Sequence, residues 1–404
     1  MKKYDLITPE GTKDYLFEEC EIRRETEHNI HEIFRSKGYT QLMTPGLEFY
    51  DVFHTKAGYF PQESLYKLTD SKGRLLVLRP DSTIPIARVV STRLKDAVLP
   101  LRLFYNQSVY RFEPTLKGRS DETIQAGIEL IGSYSHMADL ELIATAIEVL
   151  STCSDGNFSL EIGDAGVFKE LMQELHATPE QAENIRYLIE TKNYPALNDL
   201  LDAMGNDKIT VALKQLPSLF GGEEVFEKAS KLYSNARIDE ILEDLKRTYE
   251  EISNVIGTGH LMVDLGMVHK QDYYTGVIIR GYLEGYGEEV LSGGRYNKLL
   301  ADFGYDVPAI GFAVNVDAVS KILLKNTQRT RPRPDALVFA EPGYEVKAIA
   351  VSAKLRKEGK IVEHALHDDL ESVRAYAKEN GIQALVIVNE DVTESYGKMS
   401  IGKK

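Results

Sequence analysis

A carboxylate, two phenols and an imidazole fall within six consecutive residues, His269 to Tyr274, of the stretch Gly266-Met-Val-His-Lys-Gln-Asp-Tyr-Tyr-Thr-Gly276. Thr275-Gly276 is a turn signal, and the β-branched run Val277-Ile278-Ile279 behind it reads as a buried strand. Strand residues alternate between faces, so Tyr273 is expected to share a side with Gln271, and Tyr274 with Asp272. Such a strand end suits one wall of a polar pocket; a half-buried edge strand with polar tips fits the same residues. A second group lies at residues 123–131, where alternation sets Gln125, Gly127 and Glu129 on one face and Ile124, Ile128 and Leu130 on the other. Buried amides and carboxylates are costly unless paired, so a polar face on an interior strand reads as the floor of a ligand site. Gly127 would give the ligand room to approach. An exposed antiparallel face is the alternative. Arg111 and Glu113, at the end of the preceding strand, point the same way.

Several other chemistries lack their residues. There is no Walker-type or dinucleotide glycine motif, and no local Ser-His-Asp or Cys-His grouping. His28 and His31 sit beside Glu25 and Glu27, and His364 and His367 beside Asp368 and Asp369; both pairs read as solvated histidines. No metal and no cofactor is expected. The net charge is −14, and residues 331–404 carry 12 basic and 12 acidic side chains, so the whole excess belongs to residues 1–330. A nucleic-acid-binding chain usually shows a basic face, and neither part offers one. Met1-Lys2-Lys3 leads into mixed polar sequence, and no run is long enough to cross a bilayer. The two cysteines, Cys20 and Cys153, lie far apart without metal-type spacing, which fits a cytoplasmic protein.

The elements that must position these residues follow from periodicity. Asp14 reads as the N-cap of a helix carrying Phe17, Ile30, Ile33 and Phe34 and ending at Gly38. Residues 40–43 read as a short strand, with Pro45 at an edge or interface. A hairpin at 64–78 turns around Asp70-Ser71-Lys72-Gly73, and Pro85 suits the first turn of the next helix. Residues 101–112 and 123–131 read as strands. From about 166 to 255 helical periodicity takes over, with breaks at Asn193-Tyr194-Pro195 and Gly221-Gly222, as in an inserted helical subdomain. The paired Gly293-Gly294 permits close approach of a ligand or a neighbouring strand, ahead of another helix. Residues 308–314 read as a last strand of the first domain, spanning 1–325. After a linker at 326–334, strand–helix alternation in 335–404 implies a small parallel α/β domain.

Taken in order, Leu78-Arg79-Pro80-Asp81-Ser82-Thr83, Arg111-Phe112-Glu113, Gln125-Ala126-Gly127-Ile128-Glu129, Asp272-Tyr273-Tyr274-Thr275-Gly276 and Gly293-Gly294-Arg295-Tyr296 resemble histidyl-tRNA synthetase. Residues 308–314 resemble the start of the third motif of that class, and the last domain resembles a truncated anticodon-binding domain. The resemblance covers about residues 9–320. It implies an α+β class II synthetase core, an antiparallel sheet flanked by helices and dimerised through the region around Pro45. It also implies a histidine site made by Asp81, Thr83, Arg111, Gln125, Glu129, Tyr273 and Tyr274. Asp81 and Glu129 can accept from an ammonium group, and charge-assisted bonds of this kind contribute roughly 1.5–3 kcal/mol each.

The chain departs from the synthetase pattern where catalysis is done. His269 stands at a catalytic arginine position, Asp317 is followed by Ala318 instead of arginine, and Asp121 occupies a further arginine position. Adenylation needs fixed cations over the phosphates, and losing one such preorganised donor commonly costs roughly a hundred- to a thousandfold in rate. A synthetase-like core without those arginines resembles the regulatory subunits of short-form ATP phosphoribosyltransferase. That resemblance implies a non-catalytic protein that binds L-histidine, pairs with itself within a hetero-oligomer, and activates and feedback-regulates a short catalytic subunit, with no tRNA or membrane partner. Many members lack the trailing domain present here. A divergent active histidyl-tRNA synthetase, or a paralogue that modifies a protein lysine or senses amino-acid shortage, are the alternatives.

Overall fold

In the strand Glu122–Ile131, Ala126, Ile128 and Leu130 are almost fully shielded and point into the larger hydrophobic core, while Glu129 points the other way. That alternation is the organising fact of the fold, which is described here from a computed structural model for residues 4–53, 60–112, 120–154, 156–205, 207–268, 273–326, 333–390 and 392–396. The chain divides into two units, residues 1–328 and 329–404.

Among the described residues, nine strands form the larger sheet of the first unit. Their order is Thr40–Gln41, Leu101–Tyr110, Glu122–Ile131, Ala309–Asn315, Leu291–Arg295, Val277–Leu283, Phe158–Asp164, Leu261–Asp264 and Phe220–Gly221. The six strands from Leu101–Tyr110 to Phe158–Asp164 are antiparallel; Thr40–Gln41 and Leu261–Asp264 each join them in parallel. One face is covered by the helices Glu18–Ser36 and His136–Thr152. Phe34 of the first lies 5.8 Å from the Phe104 ring and 6.0 Å from Phe312. The helix Val316–Asn326 follows the last strand and packs beside Glu18–Ser36.

The first helix begins three residues later than an N-cap at Asp14 implies, its N-cap position being Phe17. Asp14, Tyr15 and Leu16 are not helical, and Glu18, Glu19 and Glu21 bring negative charge to the first turn, where the helix dipole favours it. The helical stretch, six α-helices between Ala165 and Ile256 among the described residues, does not stand apart from the sheet. Its Phe220–Gly221 segment adds the edge strand, and Ile185, Leu197, Leu213 and Leu242 share one continuous core with Ile128 and Phe312.

The opposite face carries a second core. It joins Tyr105, Ile278 and Tyr296 to Ile84, Ile86 and Val90 of the helix Thr83–Arg93, and to Val77 of a three-stranded sheet made by Leu47–Phe49, Leu75–Leu78 and Lys67–Thr69. The hairpin turns where expected: Gly73 N–H donates to Asp70 O at 3.0 Å with a φ of +77° that suits glycine.

The second unit is a parallel α/β sheet, Val362–His364, Ala336–Ala340 and Ala384–Val388, extended by an antiparallel Val392–Tyr396. The helices Glu345–Lys357 and Leu370–Glu379 bury its alternate residues: Val338 and Val386 belong to one core, Leu337 and Phe339 to another. No helix among the described residues is long and apolar enough to cross a membrane.

Candidate functional site

The site begins with an anchored loop. Beyond the strand Leu75–Leu78, the buried Arg79 guanidinium donates to Ser108 O and Thr44 O, each at 2.6 Å, and to Gln107 Oε1 at 3.0 Å. Three bonds from this fixed planar donor to carbonyl-type oxygens set the path of Pro80 and Asp81. A second guanidinium holds the same loop: Arg111 Nε donates to Pro80 O at 2.7 Å, and its guanidinium lies 5.5 Å from the Phe60 ring centre. Asp81 then accepts from Ile84 N–H at 2.9 Å, tying its carboxylate to the N-terminus of the helix Thr83–Arg93.

That helix start delivers Thr83 to the sheet floor. Thr83 Oγ1 donates to Glu129 Oε1 at 2.8 Å, and the Tyr296 hydroxyl donates to Oε2. Glu129 is 1% exposed, and burial pushes its carboxyl up to about 8 despite both hydroxyl donors; the nearby Asp81 charge adds to the rise. Burial raises Asp81 as well, opposed by Arg111 and by backbone N–H groups. Two shielded carboxylates thus sit side by side. Three tyrosines wall them in: Tyr273 lies 4.8 Å from Tyr274 and 5.8 Å from Tyr296, ring centre to ring centre. The Lys169 ammonium, from the helix Ala165–Glu174, donates to Tyr274 O at 2.9 Å and holds the wall from behind.

Asp81, Thr83, Glu129, Tyr273 and Tyr274 are therefore brought together, with Arg111 at the Pro80 side of Asp81. Gln125 is set apart. It is four residues from Glu129 on the same strand face, about 13 Å along the strand, and is paired in register with Gln107 and Asn315. His269, Gln271, Asp272 and Glu113 lie outside the described residues.

Two expectations need correction. Tyr273 and Tyr274 do not alternate across a strand, because the strand begins only at Val277; both rings pack into one cluster and their phenols are hydrogen-bonded to each other. Gly127 does not open space for a ligand either. A Cβ there would strike the Tyr105 phenol and the Phe312 carbonyl, so the glycine makes room for a neighbouring side chain. Gly293-Gly294 likewise admits adjacent strands, not a ligand, and leads out of a strand into a short 3-10 helix, Leu299–Phe303.

Sequence reasoning gave no role to Tyr105 and Tyr296. Tyr105 faces Gly127 in register, fully buried and within hydrogen-bonding reach of Thr83. A bulky phenol opposite a glycine is the signal that could have found it, once the register is known.

The positions that depart from the synthetase pattern have structural work. The Tyr66 hydroxyl donates to Asp121, whose own N–H donates to Gly11 O at 2.7 Å. Asp317 accepts from Ile124 N–H at 2.8 Å and lies 3.1 Å from Arg23 Nε, while the Ala318 side chain is buried in the larger core. Among the described residues no group of three or more His, Cys, Asp or Glu could hold a metal ion.

Two buried carboxylates, hydroxyl donors and aromatic walls suit a small cation with a flat body. A positive charge there would be desolvated against aromatic faces and paired with carboxylates, both favourable. Tyr296→Phe tests the electrostatics directly. Losing one hydroxyl donor is expected to lift the Glu129 carboxyl above about 8, visible as a later titration of its side-chain carbon by NMR.

A mostly antiparallel sheet flanked by helices, with this pocket on its inner face, defines a class II synthetase-type core of the histidyl kind. The sequence profile described as histidyl-tRNA synthetase matches residues 11–319. A solved histidyl-tRNA synthetase from a Nostoc species has the same fold, with a TM-score of 0.78 at 20% identity over 98% of this chain and 97% of that one. A Bacillus halodurans structure described as an ATP phosphoribosyltransferase regulatory subunit/histidyl-tRNA synthetase superposes with a TM-score of 0.82 at 29% identity, covering 96% of this chain and 99% of that one. An ATP phosphoribosyltransferase regulatory subunit of Clostridium kluyveri is 43% identical over 96% of this chain and its own full length (100%). One from Bacillus cereus is 38% identical over 98% of this chain and 94% of that one. The chain belongs to the family of ATP phosphoribosyltransferase regulatory subunits, a branch of the histidyl-tRNA synthetase family, and is classed with regulatory subunits rather than with catalytic synthetases.

Proposed function

We propose that this chain is a non-catalytic regulatory subunit of ATP phosphoribosyltransferase in histidine biosynthesis, which binds L-histidine between Asp81, Glu129 and the tyrosine wall. The observation that carries the reading is the pair of shielded carboxylates beside Tyr273, Tyr274 and Tyr296. The histidine ammonium pairs with the carboxylates, its imidazole lies among phenols that can donate or accept, Thr83 and Arg111 complete the immediate surroundings, and Gln125, further along the same strand face, meets the far end of the ligand. Feedback then requires that histidine favour one assembly state of this chain with a short catalytic subunit over another.

Self-association through the region around Pro45 is part of the proposal. Met43, Leu47 and Phe49 are exposed there, and apolar surface of this kind suits a second copy. A cytoplasmic setting accords with two unpaired thiols, Cys20 exposed and Cys153 buried.

The purified chain is expected to bind L-histidine in calorimetry, to co-sediment with a short ATP phosphoribosyltransferase subunit, and to catalyse no histidine-dependent ATP–pyrophosphate exchange. Robust exchange would establish the second reading, a divergent histidyl-tRNA synthetase, which the match over residues 11–319 favours. Against it stand Asp121 and Ala318, which hold no cation for the phosphates and are built into the fold.

A further inference from the structure

The tyrosine wall is carried by two chain segments that are not joined to each other in sequence: Tyr273 and Tyr274 precede Thr275, and Tyr296 lies between Arg295 and Asn297. One hydroxyl fastens them. Thr275 Oγ1 accepts from Asn297 N–H at 2.9 Å and donates to Arg295 O at 3.4 Å, while Thr275 N–H donates to the same carbonyl at 2.7 Å. Asn297 extends the junction to the neighbouring strand, its Oδ1 accepting from Ala309 N–H at 3.3 Å, and Tyr296 N–H donates to Ala309 O at 2.8 Å.

Arg295 fixes this junction to the rest of the fold. Its side chain turns away from the carboxylate pocket, toward a separate polar cavity of about 300 Å3 bounded by the helices His136–Thr152 and Ala236–Ile256. It is 9% exposed there; Nε and Nη2 hold Asp139 at 2.8 and 2.7 Å, and Nη1 donates to Ser133 O at 3.0 Å. The guanidinium thus clamps the N-terminal turn of the His136–Thr152 helix to the backbone that carries Tyr296. Nothing in this arrangement needs a ligand to hold it, and none of it faces Glu129 except through the two tyrosine-bearing segments.

We infer that Thr275 and Arg295 are positioning residues for ligand binding: they fix the separation of Tyr274 and Tyr296, and through the Tyr296 hydroxyl the orientation of the Glu129 carboxylate. The inference rests on the reading of the pocket as an L-histidine site. Thr275→Val keeps the shape of the side chain but removes the hydroxyl, leaving Asn297 N–H without its acceptor. Thr275→Ser keeps the hydroxyl and loses only a methyl group.

Calorimetric titration of the full chain with L-histidine tests the inference, with thermal melts in parallel. Thr275→Val is expected to weaken binding about tenfold, equivalent to ~1.4 kcal/mol, while Thr275→Ser stays within about threefold of the wild type. A hydroxyl that only stabilised the fold would move the melting temperature and leave the affinity of the folded chain unchanged. Arg295→Lys, which keeps the charge but not the forked geometry, is expected to fall on the Thr275→Val side. Equal affinity of Thr275→Val and the wild type would overturn the inference, and so would equal loss in Thr275→Val and Thr275→Ser. A wild-type chain that bound no L-histidine would instead remove the reading beneath it, an outcome separate from either of these.

Discussion

Glu129→Gln is expected to weaken L-histidine binding about a hundredfold at pH 8 and much less at pH 6. The amide preserves the volume of the carboxyl and can still meet the Thr83 and Tyr296 hydroxyls, which rotate to donate or accept. What it removes is the charge, and charge-assisted bonds to a buried group contribute roughly 1.5–3 kcal/mol. The pH dependence follows from burial. With its carboxyl at about 8, Glu129 in the empty site holds a proton at neutral pH and must release it to pair with a cation. Titration calorimetry at pH 7 in buffers of different ionisation enthalpy should therefore report close to one more proton released by the wild type than by Glu129→Gln. Equal release would mean that Glu129 does not face the ligand's charge.

The same residue leaves a mark on stability. The unfolded chain releases this proton near the ordinary value of 4.5, the folded chain only near 8, so between these the native state binds more protons. The Glu129 contribution to stability accordingly falls as pH rises from about 4.5 and levels off above about 8. Glu129→Gln should flatten that slope and melt no lower than the wild type at pH 8.

Why some of this was legible in sequence and some was not is a matter of the distance over which each feature is encoded. Alternation is local, so Ile124, Ile128 and Leu130 revealed the core-facing side of their strand and left Glu129 on the other. Strand–helix succession after residue 335 was equally plain, since each element there is long enough to show its period. Phe220–Gly221 is two residues long and has no period to read, so its addition to the sheet edge, which ties the helical stretch into the main core, went unseen. The tyrosine pair misled because alternation was applied four residues before the strand starts. Gly127 misled for a different reason. What fills the space above it is Tyr105, 22 positions earlier, and only the register between the two strands brings them face to face. The carboxylate pair, finally, was foreseeable as chemistry but not as geometry, because Thr83 and Tyr296 reach Glu129 from 46 and 167 residues away.

Gly311 shows how far the site depends on that register, and its substitution should have the largest effect on both fold and binding. Gly311 lies opposite Glu129 in the neighbouring strand. A Cβ at this position would fall on Glu129 Oε2 and against the Ile128 carbonyl. The carboxylate cannot swing aside without leaving Thr83 or Tyr296, and the carbonyl is part of the sheet backbone. Overpacking of a shielded site costs roughly 1–3 kcal/mol, so Gly311→Ala is expected to lower the denaturation midpoint and to remove detectable L-histidine binding from the fraction that remains folded. Combining it with Glu129→Asp separates the two consequences. The shorter side chain withdraws the carboxylate from the added methyl, so the double variant should recover part of the stability lost in Gly311→Ala, a coupling measurable as a double-mutant cycle. It should recover no binding, because a retracted carboxylate no longer reaches the ligand's charge. Gly293→Ala supplies the comparison. Its Cβ would meet the Gly311 carbonyl and Phe312 without touching Glu129, so it should cost stability while its folded fraction still binds L-histidine. If Gly311→Ala bound as well as Gly293→Ala, the position of the Glu129 carboxylate would not be what the pocket depends on.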